Sequence, residues 1–137
     1  MKGLMAVLLL GLIGGMAGIT TADIPDLVGN WTGPYVEYKS GQGFSEVESG
    51  LFFLNITEQK DRIIIGYSSF KKRDGTEVTR ELAGVISADG TELSLAEQNN
   101  GYSNGKIISP DEFELTYLSD NDPISVAIDK FYRITEN

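Results

Sequence analysis

The stretch DGTEVTRELAGVISADGTELSLAE, residues 74–97, decides the fold. Asp74-Gly75 opens it and Asp89-Gly90 divides it. Both dipeptides tolerate the positive φ angles that tight hairpin turns require. Between them Val78, Arg80, Leu82 and Ile86 share one parity, and after the second turn Leu93 and Leu95 alternate with Glu92, Ser94 and Ala96. Alternation with period two places one face of a strand in a core and the other in water. The stretch therefore predicts two antiparallel strands, Glu77 to Ser87 and Thr91 to Glu97.

The same rhythm extends outward. Asn104-Gly105 and Ser119-Asp120 continue the turn signals at a spacing of about fifteen residues. Upstream, strands are predicted over Val28–Tyr38, Ser49–Gln59 and Arg62–Lys72, with Gly41 and Gly43 marking a flexible loop. Downstream they are predicted over Tyr102–Ser109, Glu112–Leu118 and Ile124–Ile134, with Gln98 to Gly101 as a turn. Asn104-Gly105 either bulges its strand or serves as a turn. No segment after residue 22 sustains helical spacing. Eight short antiparallel strands leave an up-and-down meander barrel or a two-sheet sandwich, and consecutive hairpins favour the barrel. Closure also removes sheet edges that invite aggregation.

The first 22 residues stand apart. Lys2 is the single charge before Asp23, Leu4 to Ile13 is an apolar run, and Thr20-Thr21-Ala22 supplies small residues at a cut before Asp23. These are the parts of a secretory signal helix. The alternative is an uncleaved anchor, since Gly3 to Ile19 lies at the short end of the spanning range. Cleavage is the expectation. It leaves one domain, residues 23–137, outside the cytoplasm, either secreted or in the cell envelope, with no further membrane span. It removes Lys2 and no acid, so 115 residues remain with ten Lys and Arg, twenty Asp and Glu, and a formal charge of −10.

That charge disfavours nucleic acid, whose phosphates need clustered cations. Lys71-Lys72-Arg73 reads as a solvated hairpin tip. The chain has neither histidine nor cysteine. Disulfides are excluded, as are His- or Cys-dependent nucleophilic systems and the common zinc and haem ligands. The expectation is a non-enzyme with no cofactor and no metal. Asp120-Asn121-Asp122 lacks the longer pattern of a calcium loop and reads as a turn.

Leu27-Val28-Gly29-Asn30-Trp31 puts Gly-x-Trp at the start of the first strand, and Phe131-Tyr132-Arg133-Ile134 puts a basic residue at the end of the last. This pairing resembles the calycin superfamily of lipocalins, fatty-acid-binding proteins and avidins. The resemblance implies that Trp31 plugs the closed end of a barrel beneath Arg133, the guanidinium stacking on the indole and capping nearby carbonyls. Gly29-Asn30-Trp31-Thr32-Gly33 is also similar to the avidin opening. Avidins line their biotin pocket with several tryptophans and this chain has one, so the likeness stops short of a biotin site. Lipocalin disulfides and other short lipocalin motifs are absent.

If Trp31 faces the lumen, Tyr35 and Glu37 share its parity and face it nearer the other end. Tyr67, Tyr102 and Tyr117 are further candidates for ligand contact, their hydroxyls serving as polar anchors in an apolar cavity. The competing reading makes each a core filler. Asn30-Trp31-Thr32 and Asn55-Ile56-Thr57 are N-glycosylation sequons in an exported protein, both inside predicted strands. Two functions follow. An open lumen would hold a small hydrophobic or amphipathic ligand. A filled barrel would act through its acidic exterior, as an interaction or inhibitor protein for a cationic exported partner.

Overall fold

The computed structural model describes residues 22–136, so the predicted signal segment lies outside the described residues apart from Ala22. Ten strands form, and no helix occurs among the described residues. They are β1 (Gly29–Thr32), β2 (Tyr35–Lys39), β3 (Gly43–Val47), β4 (Phe52–Lys60), β5 (Ile63–Lys71), β6 (Glu77–Ile86), β7 (Glu92–Glu97), β8 (Tyr102–Ser109), β9 (Glu112–Ser119) and β10 (Ser125–Arg133). Each strand from β4 to β9 pairs antiparallel with the next, and β1 pairs with both β4 and β10. The sheet thus closes on itself. The predicted first strand is real but breaks at Gly33-Pro34 into β1 and β2, both of which pair with β10. Counted as one bent stave, they close with β4 to β10 into an eight-stave barrel, and β3 lies outside the ring, paired only with β2.

Two local expectations change. The loop expected around Gly41 and Gly43 contains a strand, β3, which hairpins onto β2. Its outward residue Phe44 packs on Tyr38 at 5.0 Å between ring centroids, a pairing that the intervening glycines conceal from a parity count. Asn104-Gly105 is not a turn. It lies inside β8, and the β7–β8 turn is the predicted one at residues 98–101. By contrast Asp74-Gly75 and Asp89-Gly90 do turn the chain, with Gly75 at φ +85° and Gly90 at φ +74°. Asp89 secures its turn by accepting hydrogen bonds from the Ser87 and Thr91 hydroxyls at 2.6 and 2.7 Å, which hold its carboxyl down to about 2.

Gly105 serves close approach instead. A Cβ there would meet the Glu114 carbonyl of β9, and bonded strands cannot separate without losing their ladder. Gly105→Ala is expected to destabilise the barrel by about 2 kcal/mol, an overpacking cost. Urea denaturation checks this, and an unchanged midpoint would show that the wall yields freely.

The core gathers at one end. Leu27 and Trp31 are fully buried with Ile64, Ile86, Leu93 and Phe113. Full burial of such side chains contributes roughly 1.5–3 kcal/mol each. The Trp31 ring packs on Phe113 at 4.6 Å, and its Nε1 donates to the Leu27 carbonyl at 3.0 Å. Gln59 ties the entering segment down by accepting from the Leu27 N–H and donating to the Pro25 carbonyl, both at 2.9 Å.

Over this plug lies Arg133, its guanidinium 4.4 Å from the Trp31 ring centroid. It donates to the carbonyls of Val28 at 2.6 Å and of Asp26 and Pro110 at 2.8 Å, and pairs with Asp111 at 2.8 Å. One planar cation therefore joins both chain ends and the β8–β9 turn. This is the arrangement implied by the calycin resemblance, and the barrel is calycin-like in fold.

Candidate functional site

Opposite the plug the lumen opens. A cavity of about 480 Å³ lies between the core and the loops after β2, β7 and β9. Its floor is apolar, formed by Leu54, Leu95, Leu115 and Phe131, with Phe52 and Phe70 beside them. Its walls are polar. β2 contributes Tyr35, Glu37 and Lys39, β6 Arg80, β7 Glu97, β8 Ser103, β9 Tyr117, and β10 Ser125 and Asp129. Alternation explains why polar groups arrive here. Inward positions that carry Leu or Phe near the plug carry Ser, Glu, Asp or Tyr further along the same strands.

Part of this wall is wired together. Glu97 accepts from the Ser68 hydroxyl at 2.9 Å and from the Asn100 amide at 3.1 Å, while the Tyr117 hydroxyl donates to Asn100 Oδ1 at 2.8 Å. The Asn121 amide donates to the Asn100 carbonyl at 2.6 Å, linking two mouth loops. The acidic 120–122 segment is thus part of the rim, in a bend. Glu37 accepts from the Ser45 hydroxyl at 3.1 Å.

Asp129 differs. It is 9% exposed, and its side chain makes no hydrogen bond or ion pair among the described residues, its carboxylate oxygens keeping only a residual contact with the open lumen. Burial first, then the negative charges of Glu97 and Glu37, push its carboxyl up to about 7. Tyr35, beside Asp129 in the β2–β10 register, is pushed up to about 12 by burial, Glu37 and Asp129. Hydroxyl Tyr35 is therefore a neutral donor at any physiological pH.

Of the five residues expected to meet a ligand, Tyr35, Glu37 and Tyr117 line this cavity. Tyr67 and Tyr102 do not. Tyr67 is 43% exposed and lies in an outer depression with Thr57, Ile65 and Glu81. Tyr102 is 73% exposed on the outside, opposite Leu118 and Ala96. The physical reason is parity. In β5 the inward residues are Ile64, Gly66 and Ser68, and in β8 they are Ser103, Gly105 and Ile107, so the aromatic residues between them face out. Asn30 and Asn55 face outward as well, directly opposite each other in the β1–β4 ladder.

Asp129, Glu97, Asn100 and Arg80 were not among the expected site residues. Asp129 shares the parity of Arg133 and Phe131, and Glu97 that of Leu93 and Leu95, so counting in twos from the plug would have found both.

No protein-family model matches the chain, and no curated protein matches it in sequence. Solved structures match its fold. An S-type phycobiliprotein lyase from Guillardia theta aligns at a TM-score of 0.53 and 10% identity, covering 81% of this chain and 90% of its own. Lobster apocrustacyanin A1 aligns at 0.51 and 15% identity over 80% of this chain and 61% of its own. A redesigned β-barrel bound to DFHBI aligns at 0.52 and 13% identity over 78% of this chain and 98% of its own.

Proposed function

We propose that this is an exported binding protein that holds one small amphipathic molecule in its lumen, without turning it over. The observation that carries this is the 480 Å³ cavity with an apolar floor and a polar wall. Its size falls within the range of small-molecule sites, and its lining has the usual form of a greasy surface with a few placed polar groups. A filled barrel acting through its acidic exterior would leave no such space. Likeness to a barrel bound to DFHBI supports small-molecule binding by this fold. The signal-like N-terminus supports export, and the lack of histidine and cysteine supports binding without catalysis.

Native mass spectrometry of protein from its natural host is expected to show a non-covalent adduct of small-molecule mass. Ala127 is a small, buried residue on the lumen wall. Ala127→Trp fills the cavity and is expected to lower adduct occupancy at least tenfold, while the Trp31–Arg133 plug stays intact. Protein that is always apo, or an adduct that survives this substitution, would refute the luminal site.

A further inference from the structure

An ionised carboxylate out of water is costly unless a cation or several donors meet it. Four carboxylates line the cavity. Asp122 is exposed at the rim, and of the three on the walls two are served by the protein: Glu97 by Ser68 and Asn100, Glu37 by Ser45. Asp129, deepest in burial of the three, receives nothing. Lys39 and Arg80 also line the cavity, yet neither forms an ion pair, since Arg133–Asp111 at the closed end is the only one among the described residues. Arg80 instead lies over the Phe70 ring at 5.2 Å. No group of acidic side chains among the described residues is arranged to hold a metal ion. What Asp129 lacks is a cationic donor at its own level: Lys39 stands opposite Ser125, four residues further along β10.

We propose that the lumen selects a cationic amphiphile, an apolar body bearing one protonated amine, with its ammonium seated on the unpartnered Asp129 carboxylate. This rests on the luminal binding site proposed above. Leu54, Leu95, Leu115 and Phe131 take the apolar body, and the ammonium supplies the donors that the fold withholds from Asp129. Tyr35, neighbouring Asp129 across the ladder, offers a neutral hydroxyl at the same level.

Three probes of one chain length separate the outcomes: decylamine, decanol and decanoate, titrated calorimetrically into the full domain at pH 8. Decylamine is expected to bind at least tenfold more tightly than decanol, and decanoate more weakly than either. Asp129→Asn is expected to bring decylamine to the level of decanol while decanol is unchanged, with a thermal melt verifying that the variant is folded. Decanol equal to decylamine in the wild type would overturn the amine preference and leave the luminal site standing. An amine preference that persists in Asp129→Asn would overturn the role of Asp129. Failure of all three probes to bind would overturn the luminal site itself.

Discussion

Replacing Arg133 with leucine is expected to lower the unfolding midpoint by about 10–20 °C, which for a domain of this size corresponds to roughly 3 kcal/mol. The guanidinium serves five groups at once: the Trp31 face, the Asp111 carboxylate and the carbonyls of Val28, Asp26 and Pro110. Leucine preserves bulk over the indole but leaves those carbonyls to partly accessible water. A charge-assisted bond is worth about 1.5–3 kcal/mol and a cation–π contact about 0.5–2, and such values do not add within one network. Partial exposure of Arg133 lowers the sum further. Lysine is expected to recover less than half of the loss, because a single ammonium cannot reproduce the planar fork.

Trp31, the only tryptophan, reports the event directly. Its emission should move to longer wavelength in Arg133→Leu as water reaches the ring. A midpoint within 2 °C of wild type would mean that the closed end is held by packing alone.

Asp129→Asn is expected to act in the opposite direction and to depend on pH. In the folded barrel the carboxyl titrates near 7 instead of its ordinary 3.8, chiefly because burial disfavours the charge, with Glu97 and Glu37 adding repulsion. Below the ordinary value both folded and unfolded chains are protonated at this position, and the variant should match wild type. Between about 4 and 7 the folded chain holds a proton that the unfolded chain has released, so wild-type stability drains away as pH rises. Above 7 both are ionised and the whole cost is present. Asparagine carries no such cost. The variant should therefore gain about 3 kcal/mol over wild type at pH 8, following the ~1.4 kcal/mol per pKa unit of linkage and some relief from water in the open lumen. Urea denaturation at pH 3.5, 5.5 and 8 measures the difference. A gain that does not vary with pH would remove the ionisation account.

The two substitutions mark the two ends of the barrel. At the closed end polar groups are fully served and stabilise the fold. At the open end one buried carboxylate, Asp129, is left unserved and weakens it. Such local cost, retained on the wall of a cavity, is the form that a binding site takes when its partner group comes from outside.

Local rules made much of this legible. Asp-Gly pairs need positive φ wherever they turn a chain, and alternation is a property of each strand alone, so the antiparallel meander was legible, although β3 and the break between β1 and β2 were not. The plug was legible only through the calycin resemblance that Gly29-Asn30-Trp31 and Arg133 carry, which implies that the two meet at the closed end. Tyr35 and Glu37 followed from Trp31 by counting in twos.

The lumen wall was harder to read. β5 carries Ile63, Ile64 and Ile65 in succession, and β10 carries Val126, Ile128 and Tyr132 facing out while Asp129 faces in. Hydrophobicity therefore points the wrong way in both strands and hides the outward facing of Tyr67, while in β8 the small Ser103 and Gly105 face in and Tyr102 faces out. Their true facing is set by register: Gly66 lies against β4 and Gly105 against β9, where neighbouring backbones leave no room for a side chain. By itself the sequence determined an antiparallel all-β meander and favoured its closure into a barrel, because turns and alternation are local facts. Only the tertiary structure decided that Glu37, Glu97 and Asp129 meet in one cavity and that Asp129 alone lacks a partner, because the shear that closes the sheet sets which distant residues share a level.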